Sequence, residues 1–98
     1  MTVVHQPRVA WQAARTFVMA AETDVYYWLS EMVGDYLGVM HALQLADTRL
    51  SLQARDVLFA EMGAWRARLD ELLELHPEMT SLLQQLTAET AERLERLY

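Results

Sequence analysis

The sequence predicts an all-α protein: an antiparallel bundle of three helices, or of four, with an unusually long first helix, assembling as a dimer. Three observations carry this expectation. Apolar residues recur with a period near 3.6 over most of the chain, the spacing that gathers them on one helical face. Only three Gly and two Pro are present, fewer than the turns of an all-β chain require. And 53% of the residues are hydrophobic, slightly above the roughly 45–50% usual for soluble domains. The 98 residues read as one domain spanning 1–98. A chain of this length buries only about 60–65% of its unfolded surface. With no cysteine to form a cross-link, oligomerisation or partner binding is the expected supplement.

Residues 1–6 read as a lead-in, and Pro7 suits the first turn of a helix, where its missing N–H costs nothing. From there Ala10, Ala14, Phe17, Ala21, Val25, Trp28, Met32, Tyr36, Val39 and Leu43 form one stripe. The spacing predicts a first helix over about residues 8–45, near 50 Å long at about 1.5 Å per residue. The stripe keeps its phase through Glu22-Thr23-Asp24 and past Gly34 and Gly38, where a bend is expected because each Gly weakens a helix by roughly 1 kcal/mol. The alternative divides this helix at Thr23, whose side chain would cap a second one. Asp47-Thr48-Arg49-Leu50-Ser51 interrupts the pattern, and Ser51 suits the N-cap of a helix over about 52–75. Leu58, Met62, Trp65, Leu69, Leu72, Leu73 and His76 line its apolar stripe until Pro77 ends it. A last helix, about 78–97, carries Met79, Leu82, Leu83, Leu86, Leu94 and Leu97 on one face.

Tyr26-Tyr27-Trp28 cannot share a helical face, because successive residues stand about 100° apart. Trp28 follows the main stripe, Tyr26 projects toward Met19 and Leu37, and Tyr27 falls on a third side. Across from the stripe of the following helix stand Ala60, Gly63, Ala64 and Ala67, small enough for another helix to come close. Both segments therefore predict cover on two sides. The expected core anchors are Phe17, Trp28, Met32, Met62, Trp65 and Leu69; the expected interface is Met19, Tyr26, Tyr27, Leu37, Ala60, Gly63 and Ala64.

All eight basic residues are Arg, and Lys, Asn and Ile are absent, which suggests a GC-rich genome, bacterial or phage. The net charge of −6 argues against a nucleic-acid partner, since an acidic surface repels phosphate. No apolar run approaches the length of a membrane span, and the N-terminus does not read as a signal peptide; a cytoplasmic location without membrane contact is the expectation. Asp24, Glu31 and Asp35 form an acidic line that could receive Arg55, Arg66 or Arg68, or a partner's arginines.

Two patterns touch on chemistry. Glu71-x-x-Glu74 followed by Glu89-x-x-Glu92 loosely resembles the all-α nucleotide pyrophosphohydrolases of the MazG type, which place an ExxE on one helix and an ExxD on the next. That resemblance implies a carboxylate-held Mg²⁺ against a nucleotide diphosphate, but the last position here is Glu, and Glu71 and Glu74 project away from the apolar stripe. A solvated acidic face is the plainer reading. His41-Ala42-Leu43-Gln44-Leu45 superficially resembles the histidine phosphotransfer domains, whose helix reads His-x-x-Lys-Gly; Gln44 and Leu45 depart from it, and His41 reads as a solvated histidine. No ferritin-like Glu-x-x-His set is present, and the expectation is a protein without cofactor or metal. The functional expectation is a non-enzymatic interaction module: a small acidic adaptor, chaperone or regulator working through apolar helix faces, as a homodimer or with another helical protein.

Overall fold

The computed structural model describes residues 5–97, so the expected lead-in over residues 1–6 lies mostly outside the described residues. Five α-helices follow one another without a strand among these residues: α1 (Gln6–Ala21), α2 (Val25–Tyr36), α3 (Val39–Ala54), α4 (Leu58–Leu75) and α5 (Thr80–Glu95), with a 3₁₀ turn, Pro77–Met79, before the last. No helix among them is long and apolar enough to cross a membrane. The molecule measures 43 × 26 × 23 Å along its principal axes.

The long first helix is not present: residues 8–45 fall in α1, α2 and the first part of α3. The first division is the alternative at Thr23. Its hydroxyl donates to Ala20 O at 3.0 Å and accepts from Val25 N at 3.1 Å, so one side chain serves the end of α1 and the start of α2. The second falls at Leu37–Gly38. Gly38 stands at φ 111°, ψ 160°, a region essentially closed to residues with a Cβ, and its N–H bonds Val33 O at 3.0 Å. Gly34, which looks the same in sequence, remains helical; a Cβ there would stand 3.6 Å from that of Ala42, in ordinary contact. Gly38→Ala is therefore expected to lower stability by about 1–3 kcal/mol, while Gly34→Ala raises it by about 0.5–1 kcal/mol. Urea unfolding followed by circular dichroism compares the two, and equal midpoints would refute the assignment.

The break expected at 47–51 is also absent. α3 runs through Ser51 to Ala54, and the next helix begins at Leu58 rather than 52. The polar residues that suggested a linker are spent on tertiary contacts. Thr48 is buried against α4, and Arg49 reaches back to α1. Pro77 does end a helix, with α4 stopping at Leu75, and Thr80 closes the following turn through its hydroxyl to Pro77 O at 2.7 Å.

α1 is the centre of the molecule. It lies along α4 and α5 and also touches α2 and α3. Val9, Ala10, Ala13, Ala14, Phe17, Val18, Ala20 and Ala21 are all buried on it. Five alanines let the neighbouring helices approach from more than one side, which explains why α1 carries more than one apolar stripe. That second-side cover comes from the chain folding back on itself. Phe17, Trp65, Leu29, Leu45, Leu69, Leu73 and Leu83 form the fully buried large side chains.

Candidate functional site

Of the expected core anchors, Phe17, Trp65 and Leu69 are fully buried and Met62 nearly so, while Trp28 and Met32 are half-buried against the core. Of the expected interface residues, Met19, Tyr27, Ala60 and Gly63 are exposed, and Tyr26, Leu37 and Ala64 are half-buried. The three consecutive aromatics meet arginines of their own chain. Arg49 lies over Tyr26 at 4.8 Å and Tyr27 at 5.1 Å from the ring centroids, and the two tyrosine rings meet edge-on at 5.3 Å. Arg93 lies 4.0 Å over Trp28. Each guanidinium faces an electron-rich ring, an arrangement worth roughly 0.5–1 kcal/mol when exposed.

A further set of exposed apolar residues was not among the expected interface residues. Tyr36, Val39, Met40, Leu43 and Leu50 are between 51% and 67% exposed. Val39, Met40, Leu43 and Leu50 follow helical spacing along the outer side of α3, which buries only Leu45 and Thr48, and Tyr36 ends α2 just before the turn. Tyr36, Val39 and Leu43 belong to the apolar stripe that the sequence predicts for the first helix. The stripe is real in sequence, but the turn at Leu37–Gly38 sends its last part outward: the period is kept while the helix axis is not. Asp47 lies on the same open side and is exposed.

On its inner side α3 joins a polar cluster with α4. Trp65 Nε1 donates to Thr48 Oγ1 at 2.8 Å, and Thr48 in turn donates to Glu61 Oε1 at 2.6 Å. A cleft of about 400 Å³ opens beside this chain, lined by Leu37, His41, Gln44, Arg68, Glu71, Leu72, Leu75 and His76. Arg68 lies 5.2 Å over the Trp65 ring and His41 stands 6.3 Å from it. His41 is thus half-buried rather than solvated as its sequence context suggested. Its burial holds the imidazole below its ordinary pKa, a contact with the Leu37 backbone opposes this, and the Arg68 charge lowers it further.

The two acidic pairs do not converge. Glu71 and Glu74 are exposed on α4, with Glu71 at the edge of the cleft, whereas Glu89 and Glu92 bond Arg93 and Arg96 along α5 at 3.4 and 2.7 Å. Such exposed i, i+4 pairs contribute little. Among the described residues no group of three or more His, Asp or Glu is placed to hold a metal ion. Asp24, Glu31 and Asp35 are exposed on or beside α2, and Arg66, one of their expected partners, instead pairs with Asp70 at 3.8 Å. Trp11 carries Arg15 and Arg66 at 5.9 and 5.8 Å, a basic and aromatic spot on an acidic protein. Comparison of the chain with protein-family models, with curated proteins and with solved structures returns no match in any of the three.

Proposed function

We propose that the chain is a non-enzymatic protein–protein interaction module, a small acidic helical adaptor, chaperone or regulator that acts through an apolar helix face, as a homodimer or on a helical partner. The observation that carries this reading is the open stripe Val39, Met40, Leu43 and Leu50 on α3, with Tyr36 at the end of α2 beside the turn. Contiguous exposed apolar surface of this kind marks a face that is covered in use. The i, i+4, i+11 spacing of Val39, Leu43 and Leu50 within α3 is the pattern by which one helix lies against another. Met40 adapts to partners of different shape, and Asp47 within the stripe sets orientation and discriminates among partners by charge. In a two-fold dimer the stripe meets its own copy, so one substitution alters the interface twice.

Light scattering after size exclusion tests the proposal. The wild-type protein is expected near twice 11.3 kDa. Leu43→Glu is expected to weaken self-association by roughly 100-fold or more, because a carboxylate would be buried without a partner, while helical circular dichroism is unchanged. A wild-type mass of one chain transfers the reading to a different helical partner. Retention of that partner, or of the dimer, by Leu43→Glu would remove the α3 face from the function.

A further inference from the structure

Charge is unevenly distributed over the five helices. α1 alone carries no Asp or Glu; its charged residues are Arg8 and Arg15, two helical turns apart, with Trp11 between them on the same face. All three are exposed. Trp11 remains 37% exposed, although a side chain of its size is usually well buried. α4 adds Arg66 beside it. The Arg15 and Arg66 guanidiniums lie 5.9 and 5.8 Å from the Trp11 ring centroid, and a recess of about 370 Å³ is lined by Arg8, His5 and Pro7 together with Trp11 and Arg66. Asp70 is the carboxylate at this spot, 3.8 Å from Arg66 Nε. Arg8 and Arg15 form no ion pair among the described residues. The other arginines differ. Arg49 is bonded to carbonyls, Arg93 and Arg96 to glutamates, Arg68 is half-buried, and Arg55 lines a recess with Glu22 and Asp56.

Guanidiniums gathered around one ring repel one another, and approaching carboxylates relieve that repulsion. The indole also lowers the usual cost of pairing. An exposed Arg–carboxylate pair gains little because flexible side chains must be ordered to make it. Arg15 and Arg66 are already held over a ring, so less freedom is left to lose. We propose that this face of α1 docks an acidic peptide segment of a partner protein. Its carboxylates pair with Arg8, Arg15 and Arg66, and an apolar side chain between them lies on Trp11. The length of the anion decides between a peptide and a nucleic acid. The protein carries a net charge of −6, and a long phosphate backbone would run past the spot into that repulsion. A short acidic segment stays close to the arginines, and screening over about 8 Å shields it from the remaining acidic surface. The face belongs to α1 and α4, so it goes beyond the α3 stripe of the proposed assembly and does not depend on it.

The probe is the peptide N-acetyl-Glu-Glu-Leu-Glu-Glu-amide, titrated into the full ¹⁵N-labelled chain with the Trp11 indole N–H and the Gln12 backbone amide as reporters. Saturable shifts with a Kd below about 1 mM are expected. They should vanish when salt is raised from about 0.1 M to about 1 M, where screening shortens to about 3 Å. The same peptide with Gln in place of Glu should not shift either signal. Arg15→Gln and Arg66→Gln are each expected to weaken binding by about 2–5-fold, the range of one exposed ion pair. Trp11→Ala, read at Gln12, should weaken it by about the same factor. Asp70→Asn should tighten it, because Arg66 is then released from its own carboxylate. Arg55→Gln removes the same charge elsewhere and should leave binding unchanged. No saturable shift at millimolar peptide, equal binding of the Gln peptide, or an Arg55→Gln loss equal to that of Arg15→Gln overturns the inference. Tighter binding of oligothymidylate or of phosphatidylserine vesicles than of the peptide overturns it in favour of a phosphate ligand. Light scattering reads the assembly separately: Arg15→Gln is expected to leave the mass unchanged, and Leu43→Glu to leave peptide binding unchanged. A mass lowered by Arg15→Gln would show this face covered by a second copy, which also overturns the inference.

Discussion

Replacing Trp65 by alanine is expected to remove about 3–5 kcal/mol of stability, against a total of about 5–15 kcal/mol for a domain of this size. Trp65 is fully buried, meets Phe17 edge-on at 5.9 Å, and supports Arg68 and His41 on its ring. Its indole N–H also begins the chain to Thr48 and Glu61 that ties α4 to α3. The two roles separate by substitution. Trp65→Phe keeps most of the ring and removes the donor, so the buried Thr48 hydroxyl loses a partner; the cost is about 1–3 kcal/mol. Thr48→Val in the Trp65→Phe background then costs about 1–3 kcal/mol more, because it also removes the hydrogen bond that Thr48 donates to Glu61. Urea unfolding followed by circular dichroism gives all three values. An alanine variant within 1 kcal/mol of wild type (roughly a fivefold change in the folded population) would show that α1, α3 and α4 are not joined through this residue.

The second large effect is expected at Arg49. Its Nη1 donates to Ala21 O and Thr23 O, both at 2.9 Å, at the C-terminal end of α1 where carbonyls lack helical partners. A positive charge there also complements the negative end of the helix. Above, the same guanidinium covers Tyr26 and Tyr27. Arg49→Ala is expected to cost about 2–3 kcal/mol, most of it from the charged hydrogen bonds. Hydrogen exchange at residues 21–27 should quicken before that of α4. Arg49→Lys keeps the charge but not the planar fork that spans both carbonyls, so it restores less than half of the loss. Full restoration by lysine would show that charge alone holds the α1–α2 turn.

Both residues mark a limit of the sequence reading. In Asp47-Thr48-Arg49-Leu50-Ser51 the polar run resembled a linker, because local reasoning treats polarity within an apolar period as a break. Thr48 and Arg49 instead sit inside α3 and satisfy groups 13 to 28 residues away. No window along the chain contains those partners. The cleft has the same character. His41 and Gln44 share a face of α3, and Arg68, Glu71, Leu72 and Leu75 share a face of α4, both visible as i, i+3 and i, i+4 spacings. That the two faces look at each other follows only from how α3 is turned.

By itself the sequence determined the helical content and the stop at Pro77, and offered the division at Thr23 only as the alternative to one long helix, because propensity, proline sterics and amphipathic period all act within a few residues. The tertiary structure decided which glycine breaks the helix. Gly34 and Gly38 are alike to local rules, but Gly38 adopts the positive φ, where the chain turns between α2 and α3. From that one turn follow the outward face of Tyr36, Val39, Met40 and Leu43, the second-side cover of α1 by its own chain, and the cleft of Arg68. Burial depends on the direction of a helix axis, and a local period does not carry that direction across a turn.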